Sequence, residues 1–274
     1  MAPEQYQRYC SRLQDSLQRE PAVLGVVALG SMSGLGRAPD AWSDHDFFVV
    51  VAPGQQERFR TRLDWLPEAA QVVFGFRETA HGLKAFYGDG HLVEFAVFDP
   101  EELGLARVNR YAVLFDRVDI GQRLAAVRAR TAEESNRSRA DSARLMGHFL
   151  GAVWTGAARY HRGEHLSARS QLQDGVRPLA ALIAAHVPPA DAAERDDLDA
   201  LRRFELAYPK LGPRIAEALS HAVPAAAAAL LELTDTVLAP GWPDYPAAAV
   251  TAVQGALARW QLPDPLISTH GASP

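Results

Sequence analysis

The sequence predicts an α+β protein, in which a mixed β-sheet flanked by helices precedes an all-helical bundle. Two observations support this class. Runs rich in β-branched and aromatic residues, the composition typical of strands, are confined to the first half of the chain. After them, patterns of helical period interrupted by prolines take over. Strands followed by helices are typical of α+β proteins.

The individual elements follow from these patterns in chain order. Strands are predicted at residues 23–29, 47–51, 71–76, 92–98 and 111–115, and helices among them at 4–19, 55–66 and 100–107. Further helices are predicted at residues 121–162, 166–187, 191–207, 213–219, 223–238 and 246–259. We therefore expect a sheet domain at residues 1–122 and a helical domain at 123–262. The weak pattern of residues 263–274 indicates a tail that need not be ordered.

The composition argues against several classes of protein. A chain of 274 residues with 48% hydrophobic content can bury one large core or two smaller ones. Its net charge of −5 argues against a nucleic-acid-binding surface, which carries a basic patch. The lone cysteine, Cys10, excludes an intramolecular disulfide and is expected in the core. The polar N-terminus has no signal-peptide core, and the apolar stretch 222–231 is too short to cross a membrane. We expect a cytoplasmic protein without membrane or nucleic-acid partners.

A turn and a pair of carboxylates lie between the first two predicted strands. Gly30 and Ser31 end the first strand, and glycine permits the backbone dihedrals in which N–H groups surround an anion. Asp44 and Asp46 begin the second strand, where alternation places both on one face and His45 on the other. Two carboxylates about 6–7 Å apart along a strand repel unless a cation lies between them, and Mg²⁺ prefers such ligands. The pattern indicates a phosphate-and-metal site; an ordinary solvated turn is the alternative.

Glu94 is the candidate third carboxylate. It is the only acid inside the strand-like run 91–98, and burying it without a partner would be costly. A bound metal, or a role as proton acceptor, supplies a reason for its position. Asp89 and Asp99 flank the run in expected turns and are weaker candidates. A strand with one solvated face is the alternative interpretation of Glu94.

The order of apolar run, Gly-Ser, gap, Ser-Asp-x-Asp and apolar run resembles the nucleotidyltransferase superfamily that includes DNA polymerase β. Within it, the chain most resembles the antibiotic nucleotidyltransferases of the lincosamide and kanamycin types. The resemblance covers roughly residues 20–120 and is carried by Leu29-Gly30-Ser31, Ser43-Asp44-His45-Asp46, Asp64-Trp65-Leu66 and the strand 92–98. The gap before Asp44 is slightly longer than in those relatives and contains Gly34, Gly36 and Pro39.

The resemblance implies a nucleotidyltransferase domain that transfers a nucleoside monophosphate, AMP from ATP foremost, to a hydroxyl group and releases pyrophosphate. It assigns Asp44, Asp46 and Glu94 to Mg²⁺, with two ions expected, and allows Glu94 to accept the proton of the hydroxyl. The candidate nucleotide contacts in this domain are Gly30, Ser31 and Ser43. The implied acceptor is a small molecule, an aminoglycoside or lincosamide antibiotic foremost, and the implied role is antibiotic resistance.

The helical half offers further candidates for the same reaction. Arg169 is a candidate phosphate contact, as are Arg159 and Arg162, because the guanidinium fork suits phosphate oxygens. Glu164 is the alternative general base, since kanamycin-type relatives use a glutamate from the C-terminal domain. Exposed residues at a helix end are the alternative interpretation of this group.

Other functions stay open at this point. Modification of a protein or tRNA, as in the toxin-type nucleotidyltransferases, is one alternative, although the acidic charge weighs against tRNA. A catalytically silent nucleotide-binding regulatory protein is another, although such a protein has no physical need for Asp44 beside Asp46. A homodimer also stays open, because related enzymes can build their pocket across a dimer.

Overall fold

A six-stranded mixed sheet organises the first of two units in the computed structural model, which describes residues 3–35 and 38–260. The two units are Met1–Glu133 and Glu134–Pro274. The domain boundary expected at residues 122–123 lies inside a helix that spans Ile120–Ala140. A sheet followed by helices confirms the α+β class. The expected tail, residues 263–274, lies outside the described residues.

The first unit alternates strands with helices and turns. Its strands are β1 (Val23–Leu29), β2 (His45–Val51), β3 (Val72–Arg77), β4 (Gly82–Tyr87), β5 (Leu92–Phe98) and β6 (Tyr111–Asp116). Its helices are α1 (Pro3–Arg19), α2 (Gln56–Thr61) and the first part of α3 (Ile120–Ala140). Short 3-10 turns lie at Gly30–Ser33, Ala69–Gln71 and Glu102–Leu105.

The secondary-structure elements described in the second unit are all helical. After the end of α3 come α4 (Ser142–His161), α5 (His165–Asp174), α6 (Val176–His186), α7 (Phe204–Ala207), α8 (Gly212–Ser220), α9 (Val223–Val237) and α10 (Ala247–Trp260). Its core is built from the apolar faces of these helices, with Phe149, Leu172, Leu179 and Leu230 fully buried. By length and composition, Val223–Gly241 could cross a membrane, but a core helix meets the same test, and Leu230 and Leu231 are buried in this core.

The strand order of the sheet is β3-β4-β5-β2-β1-β6. β2 and β5 run parallel, whereas the other neighbouring strands run antiparallel. α1 and α2 cover one face, where Leu13, Leu17 and Phe59 pack on the inward side chains of the strands. On the other face, α3 packs Ile120 and Leu124 over the C-terminal part of β2. The N-terminal end of β2 therefore lies beyond the core that α3 covers.

Two helices expected in the first unit are shorter than the sequence pattern indicates. Residues 55–66 form helix only at α2, and residues 100–107 form only a 3-10 turn. In the second segment, Asp99 accepts hydrogen bonds from the amides of Glu101 and Glu102, which favours a turn over a continuous helix. One strand, β4, was not predicted, although its residues alternate between buried and more exposed positions.

Long helical segments expected in the second unit are broken where side chains compete for backbone amides. Residues 121–162 divide between α3 and α4, because the Asp141 side chain accepts from the Arg144 amide and caps α4. Residues 191–207 are mostly irregular. The acidic group at residues 196–199 closes a turn, in which Asp196 is buried, accepts from the Leu198 amide and pairs with Arg203.

Candidate functional site

The pairing of three strands brings the Gly-Ser turn and the acidic residues to one edge of the sheet. β1 runs antiparallel to β2, with Ala28 opposite Phe47, so the turn that follows β1 lies beside the start of β2. β5 runs parallel to β2, with Glu94 in register with Asp46. Residues in register share a face of the sheet. The two acids therefore project side by side on the same face.

Asp44, Asp46 and Glu94 form a carboxylate cluster. One ligand oxygen from each lies within 4.8 Å of the other two, and all three residues are half-buried. Hard carboxylate oxygens at this spacing fit a divalent cation such as Mg²⁺. Among the residues that the structure describes, this is the one group of three acidic, histidine or cysteine side chains arranged to hold a metal. The three carboxylates predicted from the sequence are thus brought together by the fold.

Lys84 is a basic neighbour of the cluster that the sequence analysis missed. It lies opposite Glu94 in the antiparallel pair of β4 and β5, and its Nζ is 3.1 Å from a Glu94 carboxylate oxygen. A second ion pair of 3.1 Å joins it to Glu78. Hydrogen bonds to Glu78 and Glu94 raise the pKa of Lys84, so it is a cation at neutral pH. The sequence feature that could have revealed Lys84 is the alternation of β4, in which Lys84 is the polar residue between the buried Leu83 and Ala85.

His45 lies on the opposite face, as alternation predicts, and it holds the start of β2 against α1. It is fully buried and stacks on the ring of Tyr6, with centroids 3.9 Å apart. Its Nε2 is 3.2 Å from the Tyr6 carbonyl oxygen, which only accepts, so Nε2 carries the proton. Its Nδ1 then accepts from His91 Nε2 at 2.6 Å. Burial lowers the pKa of His45 to about 4, so this ring is neutral at neutral pH.

The Gly-Ser turn has the left-handed backbone conformation that its glycine permits. Gly30 has a φ of 47°, in the left-handed region that non-glycine residues rarely adopt. The Ser33 hydroxyl donates to the Gly30 carbonyl at 2.8 Å and closes the turn. Ser31 is half-buried, and its Oγ lies 2.9 Å from the hydroxyl of Tyr6. Burial raises the pKa of Tyr6, so Tyr6 is a neutral phenol beside Ser31.

Ser43 closes a local turn just before the carboxylates. Its hydroxyl donates to Asp40 Oδ1 at 3.1 Å and accepts from the Asp40 amide at 2.9 Å. These bonds define the chain direction as it enters β2. A contact between Ser43 and a nucleotide stays a prediction.

Arg169 and Glu164 belong to the second unit and have partners within it. Arg169 Nη1 donates to the Leu219 carbonyl at 2.8 Å, and Nη2 donates to the His221 carbonyl at 2.6 Å. Glu164 is exposed and pairs with Arg162 at 2.9 Å. Their predicted roles, in phosphate binding and as the alternative base, stay predictions.

Two residues of the Asp64-Trp65-Leu66 motif, Trp65 and Leu66, pack in the core, whereas Asp64 is exposed. Trp65 Nε1 donates to the Phe59 carbonyl at 3.1 Å, and its ring packs edge-on against Phe95. Leu66 is buried in the same cluster, on the face covered by α1 and α2. Trp65 and Leu66 thus pack on the face of the sheet opposite the carboxylate cluster.

No protein-family model and no curated protein matches the chain. Two solved structures resemble it over most of its length. An aminoglycoside 6-adenyltransferase from Bacillus subtilis is 15% identical, with 91% of this chain and 97% of that chain covered and a TM-score of 0.30. The Bradyrhizobium diazoefficiens CD-NTase CdnG in complex with GTP is 13% identical, with 94% and 95% covered and a TM-score of 0.31. Both are of the nucleotidyltransferase type that the sequence motifs resemble. TM-scores as low as these support no argument about function. The proposed function therefore rests on the geometry of the candidate site.

Proposed function

We propose that the protein is a metal-dependent nucleotidyltransferase that transfers a nucleoside monophosphate from a nucleoside triphosphate to a hydroxyl of a small molecule. The observation that carries this proposal is the shared sheet edge. Asp44 just before β2, Asp46 in β2 and Glu94 in the neighbouring β5 have carboxylate oxygens within 4.8 Å of one another, beside a turn with a left-handed glycine and a serine. A metal-holding group next to an anion-binding turn is what a metal–triphosphate complex needs.

The donor set fits Mg²⁺. Asp44, Asp46 and Glu94 offer only hard oxygen ligands and are half-buried, and water and phosphate oxygens would supply the remaining ligands of a bound ion. Bound Mg²⁺, with two ions expected, supplies neutralisation of the phosphate charge during phosphoryl transfer. In the protein without metal, Lys84 is a cationic partner of the cluster through its ion pair with Glu94.

The proposed roles of the residues follow from their positions. The Gly30 and Ser31 backbone and the Ser31 hydroxyl bind the β- and γ-phosphates, with Ser43 and Arg169 as further candidate contacts. The acceptor oxygen attacks the α-phosphorus, and the bond from that phosphorus to the pyrophosphate oxygen breaks. Glu94 takes the proton of the hydroxyl, and Glu164 is the alternative base. ATP is the first triphosphate to test, and aminoglycoside and lincosamide antibiotics are the first acceptors.

The test is a transfer assay with ATP labelled at the α-phosphate, Mg²⁺ and a panel of these antibiotics. Label should appear on the acceptor as pyrophosphate is released. Asp44→Asn and Asp46→Asn should abolish transfer while circular dichroism shows an unchanged fold. Asp64→Asn is the matched control, because Asp64 is an exposed acid in an ion pair with the exposed Arg62.

The outcome of this assay also separates the alternatives. Label found on protein or tRNA, and on no small molecule, would favour a macromolecular acceptor. ATP binding without transfer to any acceptor would favour a silent regulatory protein. Full activity in Asp44→Asn or Asp46→Asn would refute the metal assignment.

A further inference from the structure

A single row of side chains leads from the carboxylate cluster to the edge of the sheet. Asp46 is in register with Glu94, Glu94 with Lys84, and Lys84 with Phe76 on the edge strand β3. Residues in register share a face, so all four project on the same side. Because neighbouring strands are about 4.8 Å apart, Phe76 lies about 10 Å from Glu94 along this row.

The far end of this row is an exposed aromatic platform, formed by Phe74, Phe76 and Phe86. Phe74 is 59% exposed, and Phe76 and Phe86 are each 37% exposed. The ring centroid of Phe74 lies 5.7 Å from that of Phe76 and 6.3 Å from that of Phe86. Scattered exposed apolar residues need no explanation, but three contacting rings on the face of a candidate active site indicate a binding surface.

The geometry of the reaction decides which substrate reaches this platform. In phosphoryl transfer, the attacking and leaving oxygens lie in line on opposite sides of the phosphorus. The Gly-Ser turn follows β1, which flanks β2 on one side, whereas β5, β4 and β3 continue the sheet on the other. With the β- and γ-phosphates at the turn, pyrophosphate leaves on the β1 side. The acceptor must then approach over β5, β4 and β3.

We infer that the acceptor is an amphipathic molecule, with its reacting hydroxyl at Glu94 and an apolar or aromatic group about 10 Å away on the aromatic platform. This inference rests on the proposed nucleotidyl transfer. A polycationic acceptor fits this row less well, because its ammonium groups would lie beside the Lys84 ammonium. Of the two antibiotic classes considered, the lincosamides, with one amine and an apolar side chain, fit the surface better than the aminoglycosides.

The experiment measures pyrophosphate release by the full chain with ATP and Mg²⁺, using lincomycin and kanamycin as the two probe acceptors. Binding of ATP with Mg²⁺ is measured separately by calorimetry. We expect lincomycin to give the higher kcat/KM, by at least about tenfold. Phe74→Ala should raise the KM for lincomycin about tenfold, the effect of losing one ring contact, and should leave the Kd of ATP unchanged. Phe74→Tyr should preserve the KM, because it keeps the ring.

Val73→Ala is the matched control. Val73 lies on the same edge strand and is 69% exposed, but it is not part of the aromatic platform. A KM that rises equally in Val73→Ala and Phe74→Ala would overturn the inference, since it would report a general disturbance of β3. Higher kcat/KM for kanamycin, or an unchanged KM in Phe74→Ala, would overturn it as well.

Two further outcomes separate this inference from the proposed function. If ATP binds in a Mg²⁺-dependent manner but neither probe acceptor leads to release of pyrophosphate from ATP, the inferred acceptor class is overturned and the nucleotide site stands. Absence of that binding would overturn the proposed function and this inference with it.

Sedimentation tests whether a second copy of the chain occupies the aromatic platform. A dimer that Phe74→Ala dissociates, without a change in KM, would make the platform a subunit interface and would overturn the inference.

Discussion

Neutralising Asp44 should stabilise the metal-free protein while destroying its response to Mg²⁺. The carboxylate oxygens of Asp44, Asp46 and Glu94 lie within 4.8 Å of one another. Two unit charges at this distance repel by about 3.5 kcal/mol at an effective dielectric constant of 20, and by about 0.9 kcal/mol in bulk water. Asp44→Asn removes two such repulsions. Lys84 pairs with Glu94 and offsets the second repulsion, and the cluster is only half-buried, so we expect about one repulsion at the lower end of this range, a gain of about 1 kcal/mol.

Urea denaturation in EDTA and in Mg²⁺ measures both effects. In EDTA, the free energy of unfolding of Asp44→Asn should exceed that of the wild type. Mg²⁺ at a hundred times its Kd should stabilise the wild type by about 2.7 kcal/mol. The variant, which lacks one of three ligands, should gain much less. The order of stability should therefore reverse between the two conditions.

The control is again Asp64→Asn, which removes an exposed acid whose ion pair with Arg62 contributes little. Its stability should change by less than about 0.5 kcal/mol in either condition. A lower stability of Asp44→Asn in EDTA would show that the repulsion does not dominate at this site. Equal stabilisation of wild type and Asp44→Asn by Mg²⁺ would refute the assignment of Asp44 as a metal ligand.

Three further predictions concern single side chains. Glu94→Gln should lower kcat about a hundredfold or more, with a smaller change in the Kd of ATP; if Glu164→Gln has that effect instead, Glu164 is the base. Tyr6→Phe should lower the free energy of unfolding by about 1 kcal/mol in urea, because it removes the 2.9 Å hydrogen bond to Ser31. An unchanged midpoint would contradict this. Burial raises the pKa of the Cys10 thiol to about 11. Iodoacetamide at pH 8 should therefore modify folded Cys10 about a hundredfold more slowly than the urea-unfolded chain, as followed by mass spectrometry; equal rates would show that the thiol is not protected.

The sequence predicted the strands that build the site better than the elements around them. β1, β2 and β5 are rich in β-branched and aromatic residues, for which period and propensity agree. β4 begins with Gly82 and contains Lys84, so its strand propensity is weak and its place in the sheet depends on pairing with β5. Helical periodicity also cannot show where side chains such as Asp99 and Asp141 accept hydrogen bonds from backbone amides and so interrupt a helix.

The local pattern around residues 30–46 by itself determined the left-handed conformation of Gly30 and the placement of Asp44 and Asp46 on one face. A glycine's backbone freedom and the alternation of side chains along a strand are both local properties of the chain. Only the tertiary structure decided what lies beside them. The parallel pairing of β2 with β5 joins Glu94 to Asp46, and the antiparallel pairing of β5 with β4 and β3 adds Lys84 and the aromatic platform. Strand order and register arise from burial summed over the whole sheet. For that reason the pair of carboxylates could be predicted from a short motif, whereas Lys84 and the aromatic platform beside it could not.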